Sequence, residues 1–196
     1  RDAMKSRHPA FRSASRRRRS TSTEGRGRNI SATSGESRYY GACLDAVSGE
    51  DFIDVQTHTR VVVRRDGRFG PGHPLTMMEY EDRRQALGET CRHVWRRIKT
   101  PIIVTENDWA GDDDARLIAF VHDALTVPHE AIAEGVDVQG EFYWSPLDNF
   151  EWLAGYGPKF GLIAVDRTTL RRQIKPSAVA FGKIARTNAI SGRGTE

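Results

Sequence analysis

The chain has 196 residues, 38% of them hydrophobic and 29% charged, with a formal net charge of +4. Residues 1–37 hold ten Lys/Arg against three Asp/Glu and the remainder 20 against 23. The basic balance therefore belongs to a tail and does not argue for nucleic-acid binding by the body. No apolar run approaches the roughly 18 residues of a membrane span, and no apolar leader core is visible near the start. Cys43 and Cys91 give neither a disulfide framework nor a CxxC metal pattern, so reduced, buried thiols in a cytoplasmic protein are expected.

In chain order, residues 1–37 contain only seven apolar side chains and the run Arg16-Arg17-Arg18-Arg19. Such a stretch buries too little apolar area to offset the entropy of ordering and is predicted to be a disordered basic tail. The same arginines could tether nucleic acid or an acidic partner, but no interleaved aromatics support that reading. Asp51 to Gln56 is predicted as a strand, and Val61 to Val63 as a second extended piece. Asp66 to Pro74 reads as loop from its Gly and Pro content. Leu87, Cys91, Val94, Trp95 and Ile98 recur on one helical face, in a helix expected to start near Tyr80.

Pro101 to Thr105 is predicted as a buried strand. Asp112, Asp113 and Asp114 then mark a helix start, where carboxylates suit the N-terminal dipole. Leu117, Val121, Ala124 and Leu125 form that helix's buried face, Pro128 is expected to interrupt or kink it, and Gly135 to end it. Val136 to Trp144 reads as a long strand, Gly161 to Val165 as another, and Lys175 to Ala189 as a final helix. This alternation of strands and helices implies parallel βαβ units. In barrels built that way, catalytic groups sit at the C-terminal ends of strands. Thr105-Glu106-Asn107 and Trp144-Ser145, with Asp148, Asn149, Glu151 and Trp152 beyond, fall at such ends.

Three blocks resemble glycoside hydrolase family 1, the retaining β-glucosidase type. Asp51-Phe-Ile-Asp-Val-Gln-Thr-His-Thr-Arg60 is similar to its sixth barrel strand. Ile102-Ile-Val-Thr-Glu-Asn-Asp108 is similar to its seventh strand and ITENG motif. Trp144-Ser-Pro-Leu-Asp-Asn-Phe-Glu-Trp152 is similar to its eighth-strand WSLLDNFEW motif. Gly155-Tyr156, Lys159-Phe-Gly-Leu162, Val165-Asp166 and Lys175-Pro-Ser-Ala178 continue the likeness, which covers about residues 38–190. The resemblance implies an α/β fold: a partial (β/α)8 TIM barrel made of its last three strand–helix units, preceded by the disordered tail.

Retaining glycoside hydrolysis needs two carboxyl groups about 5–5.5 Å apart, one attacking the anomeric carbon and one protonating the leaving oxygen. The resemblance implies that Glu106 is the nucleophile. It further implies that Trp144 is the aromatic platform under the sugar and that Glu151 accepts hydrogen bonds from the distal hydroxyls. Trp152 would offer an indole N–H, and Phe160 would form a wall of the same subsite. Aromatic faces with interspersed carboxylates suit a pyranose, which has an apolar C–H face and a polar rim. The six histidines form no HxxxH or HxH pair, so no metal or other cofactor is expected.

The departures from the family pattern are equally specific. No Asn-Glu-Pro occurs, so the acid/base position is missing, and 196 residues fall short of the roughly 250 of a TIM barrel. His58 stands where the family has a Tyr hydrogen-bonded to the nucleophile, and imidazole could replace that donor. Asp54, Glu79 and Asp108 stand at Gly positions, Glu141 at an aromatic one and Pro146 at a Leu. An acid at a Gly position is costly wherever φ is positive. The expectation is a β-glucosidase-like hydrolase segment, with little turnover on its own. Its implied partners are a β-glycoside and the missing N-terminal barrel segment, with no membrane. An inactive, truncated or decayed family member is the alternative.

Overall fold

The computed structural model describes residues 18–24, 41–63, 69–70 and 74–190. Four strands form a parallel sheet in the order β1 (Arg18–Glu24), β2 (Ile53–Val63), β4 (Ile102–Asn107), β5 (Val138–Glu141). The two-residue β3 (Phe69–Gly70) pairs antiparallel with the end of β2. A short helix α1 (Ala42–Asp45) precedes β2, α2 (Ala86–Ile98) connects β2 to β4, and α3 (Asp114–Ala133) connects β4 to β5. After β5 come a 3-10 turn (Trp152–Ala154), the hairpin β6 (Ile163–Val165) and β7 (Arg172–Ile174), and α4 (Pro176–Thr187).

The core forms where the apolar periodicities coincide. Ile53 and Val55 of β2 and Ile102 and Val104 of β4 pack against Leu87, Cys91, Val94 and Ile98 of α2. Trp95, expected on that buried face, packs from its edge and is half-buried. Burial pushes the Cys91 thiol up to about 12, whereas Cys43 is only half-buried. A second cluster joins Leu117, Phe120, Val121 and Ala124 of α3 to Trp109, with Phe181 of α4 packed against it.

The three consecutive aspartates divide their work. Asp113 caps α3, accepting from the backbone N–H of Ala115 at 3.0 Å and Arg116 at 3.2 Å. Asp114 reaches across to the first turn of α4, where it accepts from Ser177 N at 2.9 Å and Ser177 Oγ at 2.6 Å. This pairing ties the third helix to the fourth at the end of the sheet that carries the site.

Several expectations are corrected. The two extended pieces in 51–63 are one eleven-residue strand. The helix expected from Tyr80 begins at Ala86, and the strand expected over 136–144 is regular only over Val138–Glu141. Pro128, expected to interrupt or kink α3, does not interrupt it: the helix runs on to Ala133 with Pro128 buried; a proline removes one ladder hydrogen bond, and tertiary packing holds the helix through it. Gly135 adopts φ +88° just beyond, as the helix-ending glycine requires. The basic tail expected to be disordered over residues 1–37 contributes β1, whose backbone pairs along β2 from Arg18 opposite Gln56 to Glu24 opposite Val63. An open parallel edge offers a row of unpaired backbone groups, and this segment satisfies them. The rest of that stretch lies outside the described residues.

Candidate active site

The position of Glu106 depends on one irregularity of the sheet. Ile53 pairs with Ile102 and Val55 with Val104, but Gln56 then pairs with Glu106, leaving Thr105 as an extra residue on β4. Strict alternation would put Glu106 on the same face as Ile102 and Val104, against α2. The bulge shifts the phase by one residue and turns Glu106 to the opposite face. There it joins Gln56, whose Nε2 donates to Glu106 Oε1 at 2.8 Å and to Thr105 Oγ1 at 3.2 Å. Asn107 is correspondingly buried, its Nδ2 donating to Thr57 O at 2.8 Å.

β5 delivers the next group. Beyond Glu141 its backbone keeps contact with β4: Phe142 N donates to Val104 O and Trp144 N to Asn107 O, both at 2.9 Å. Trp144 is thereby held beside the residue that follows Glu106. The Trp144–Ser145 peptide is cis. Ser145 Oγ donates to Leu147 O at 2.6 Å and lies 3.3 Å from Asn149 Oδ1, while Asn149 Nδ2 donates to Glu151 Oε2 at 2.7 Å. A chain of side-chain hydrogen bonds thus fixes the Glu151 carboxylate from the base of its loop.

Asp148 anchors that loop to the hairpin. Its buried Oδ1 accepts from Gly161 N at 3.0 Å and from Lys175 Nζ at 3.2 Å. A Cβ on Gly161 would lie 2.1 Å from Asp148 N, so only glycine permits this approach. Phe160, one residue earlier, is thereby driven inward and is 2% exposed.

These elements converge on one pocket lined by His58, Tyr80, Glu106, Asp108, Trp144, Glu151, Trp152 and Phe160, with about 320 Å³ of empty space. All six site residues expected from the sequence are there. Trp152 lies at the rim, 73% exposed. Tyr80 and Asp108 complete the wall, and Gln56 supports it from behind; no role was assigned to these three from the sequence. His58 Nε2 is 3.4 Å from Glu106 Oε2 and His58 Nδ1 is 2.5 Å from Asp108 Oδ2. Burial raises the Asp108 carboxyl above its ordinary range, a shift that His58 opposes and Glu151 and Glu106 reinforce.

Of the three acids at glycine positions, Glu79 alone has positive φ, at +57°. Asp54 and Asp108 are instead buried carboxylates; Asp54 Oδ2 accepts from Thr105 Oγ1 at 3.4 Å. Among the described residues no group of three His, Cys, Asp or Glu side chains is gathered to hold a metal ion. No helix among them is long and apolar enough to cross a membrane.

The family described as Glycosyl hydrolase family 1 matches residues 37–190. The chain belongs to glycosyl hydrolase family 1. Among curated relatives it is 32% identical to a β-galactosidase of Saccharolobus solfataricus over 158 residues, 72% of this chain and 32% of that one. It is 41% identical to β-glucosidase A of Enterobacter agglomerans over 101 residues, 46% of this chain and 21% of that one. The apo structure of a β-glucosidase 1317 superposes with a TM-score of 0.76 at 40% identity, covering 86% of this chain and 42% of that chain. A β-glycosidase from Pyrococcus horikoshii gives a TM-score of 0.73 at 29% identity, covering 82% and 44%. The family 1 chain described here spans about a third of the length of the first of these curated relatives.

Proposed function

We propose that this family 1 chain carries the nucleophile half of a retaining β-glycosidase site, built on the last three strand–helix units of a (β/α)8 barrel. The single observation that carries the reading is the pocket, which gathers Glu106, Trp144, Glu151, Trp152 and Phe160 at the C-terminal ends of parallel strands. In this reading Glu106 attacks the anomeric carbon of a β-glycoside as the bond to the aglycone oxygen breaks, giving a glycosyl ester and an aglycone that leaves with a proton from the acid/base carboxylate or, for an activated aryl glycoside, as the phenolate. Trp144 and Phe160 cover the apolar faces of the sugar, and Glu151 accepts from its hydroxyls, with Trp152 donating its indole N–H at the rim. Gln56 holds one oxygen of Glu106 so that the other faces the pocket.

The acid/base carboxylate is supplied from outside this sequence, because no Asn-Glu-Pro occurs in it. General acid help contributes about 10²–10⁴-fold. The chain alone therefore turns over unactivated glycosides at close to background, while aryl glycosides with good leaving groups still glycosylate Glu106. The test is incubation with a 2-fluoro-sugar aryl glycoside followed by peptide mass spectrometry. A glycosyl adduct on Glu106 that is absent in Glu106→Gln supports the reading. A folded sample without the adduct overturns it and leaves the inactive family member.

A further inference from the structure

His58 and Asp108 each break the family pattern, and the two replacements meet. They are 50 positions apart in sequence, on β2 and just beyond β4, yet Nδ1 of one lies 2.5 Å from Oδ2 of the other. The opposite ring nitrogen, Nε2, lies 3.4 Å from Glu106 Oε2. The imidazole is therefore suspended between two carboxylates, and only the doubly protonated ring can donate to both.

The surroundings favour that cation. Glu106 and Asp108 from the end of β4 meet the ring directly, and among the described residues Tyr80 from the segment before α2 and Glu151 from the loop after β5 line the same pocket. Tyr143, at the end of β5, is electrostatically coupled to Asp108. Among the described residues that line the pocket, His58 is accompanied by the carboxyl groups of Glu106, Asp108 and Glu151 and by no Lys or Arg. A buried carboxylate such as Asp108, only 6% exposed, is tolerated where a charged partner meets it directly.

We propose that Asp108 is a positioning residue: through Nδ1–H it orients His58 and holds it as a cation whose Nε2–H faces Glu106, forming an Asp108–His58–Glu106 relay. The pairing also accounts for two separate departures from the family pattern with one interaction. Its consequence for activity rests on reading Glu106 as the attacking carboxylate. The relay itself is a property of the free protein. When the ring loses its proton, Glu106 loses a charged donor, so any reaction at Glu106 acquires a pH limb set by His58.

The test follows His58 in long-range ¹H–¹⁵N NMR spectra of the full chain, with the resonance assigned by its loss in His58→Gln. Asp108→Asn keeps the shape and removes the charge; the relay requires the His58 midpoint to fall by about one pH unit or more. Glu106→Gln lowers it as well. The parent should show both ring nitrogens protonated at about pH 6.5, the ordinary midpoint of a histidine. A folded Asp108→Asn variant whose midpoint stays within about 0.3 unit of the parent overturns the proposal, because a packing role would leave the titration in place. Should Asp108→Asn fail to fold, the parent spectrum decides, and a ring that is largely neutral at pH 6.5 overturns it. No substrate is needed, so the relay and the glycosidase reading fail independently: one by the titration, the other by the absence of a Glu106 adduct.

Discussion

Gln56 Nε2 donates to Glu106 Oε1 at 2.8 Å across the slip in register between β2 and β4. Were Thr105 to pair with Gln56 in strict register, the Gln56 and Glu106 side chains would lie on opposite faces of the sheet. The bond therefore depends on the bulge and fixes its outcome, which is a carboxylate aimed into the pocket. A hydrogen bond to a charged group is worth about 1.5–3 kcal/mol. Gln56→Leu should slow formation of the fluoro-sugar adduct on Glu106 by about tenfold or more. The decay of unlabelled protein, followed by mass spectrometry, measures this. An unchanged labelling rate would show that Glu106 is aimed by the backbone alone.

Arg60 and Glu81 form a two-pronged pair beside Tyr80 of the pocket wall. Arg60 Nε donates to Glu81 Oε2 at 2.6 Å, and the second prong joins the remaining nitrogen and oxygen. Glu81 is 7% exposed, and its backbone N–H donates to Thr59 Oγ1 at 2.9 Å. Tyr80 of the pocket wall is therefore held by its neighbour. Removing one partner of a buried pair costs about 3–5 kcal/mol, whereas replacing both with apolar groups is close to neutral. Arg60→Met should lower stability by that amount in urea titration, and Arg60→Met with Glu81→Leu should recover most of it. Equal losses in the single and double variants would contradict the buried-pair account.

Glu79 carries the cost of a left-handed backbone at φ +57° on an exposed turn, where its N–H donates to Thr76 O at 3.0 Å. A left-handed L-residue costs about 1–2 kcal/mol, and glycine returns part of the gain as unfolded-state entropy. Glu79→Gly should therefore stabilise the chain by about 0.5–1 kcal/mol, read as a higher urea midpoint with an unchanged m-value. A lower midpoint would show that the Glu79 side chain contributes more than the strain removes.

The contrast among the three acids at glycine positions shows what the sequence could and could not convey. The motif likeness flagged Asp54, Glu79 and Asp108 alike, but φ separates Glu79 from the other two. The membership of the pocket was legible through the family resemblance, which alone pointed to His58 and Phe160, while the strand-end positions of Glu106 and Trp144–Trp152 agreed with it. The aim of Glu106 was not, because period-two alternation carries no sign of where an extra residue enters the ladder. The meeting of His58 and Asp108 was equally hidden, since each looked like an isolated departure. β7 escaped notice because Arg172, Gln173 and Ile174 are all exposed and show no apolar alternation. β1 escaped because Arg, Ser and Thr side chains gave no apolar signal for a strand that joins through its backbone.

Glu141, the acid at an aromatic position, gives the chain a pH dependence of definite sign. Burial alone pushes its carboxyl from the ordinary 4.5 to about 8. The folded chain therefore keeps this proton up to about pH 8, whereas the unfolded chain releases it above about pH 4.5. Between those values the folded state binds more protons, so stability falls as pH rises. One group contributes at most about 1.4 kcal/mol per pH unit. Glu141→Gln removes the ionisation while keeping the shape. Urea midpoints of parent and variant should nearly coincide at about pH 4 and diverge towards about pH 8, with the variant the more stable. Parallel curves for parent and variant across this range would place the Glu141 carboxyl in contact with water and remove burial as the cause.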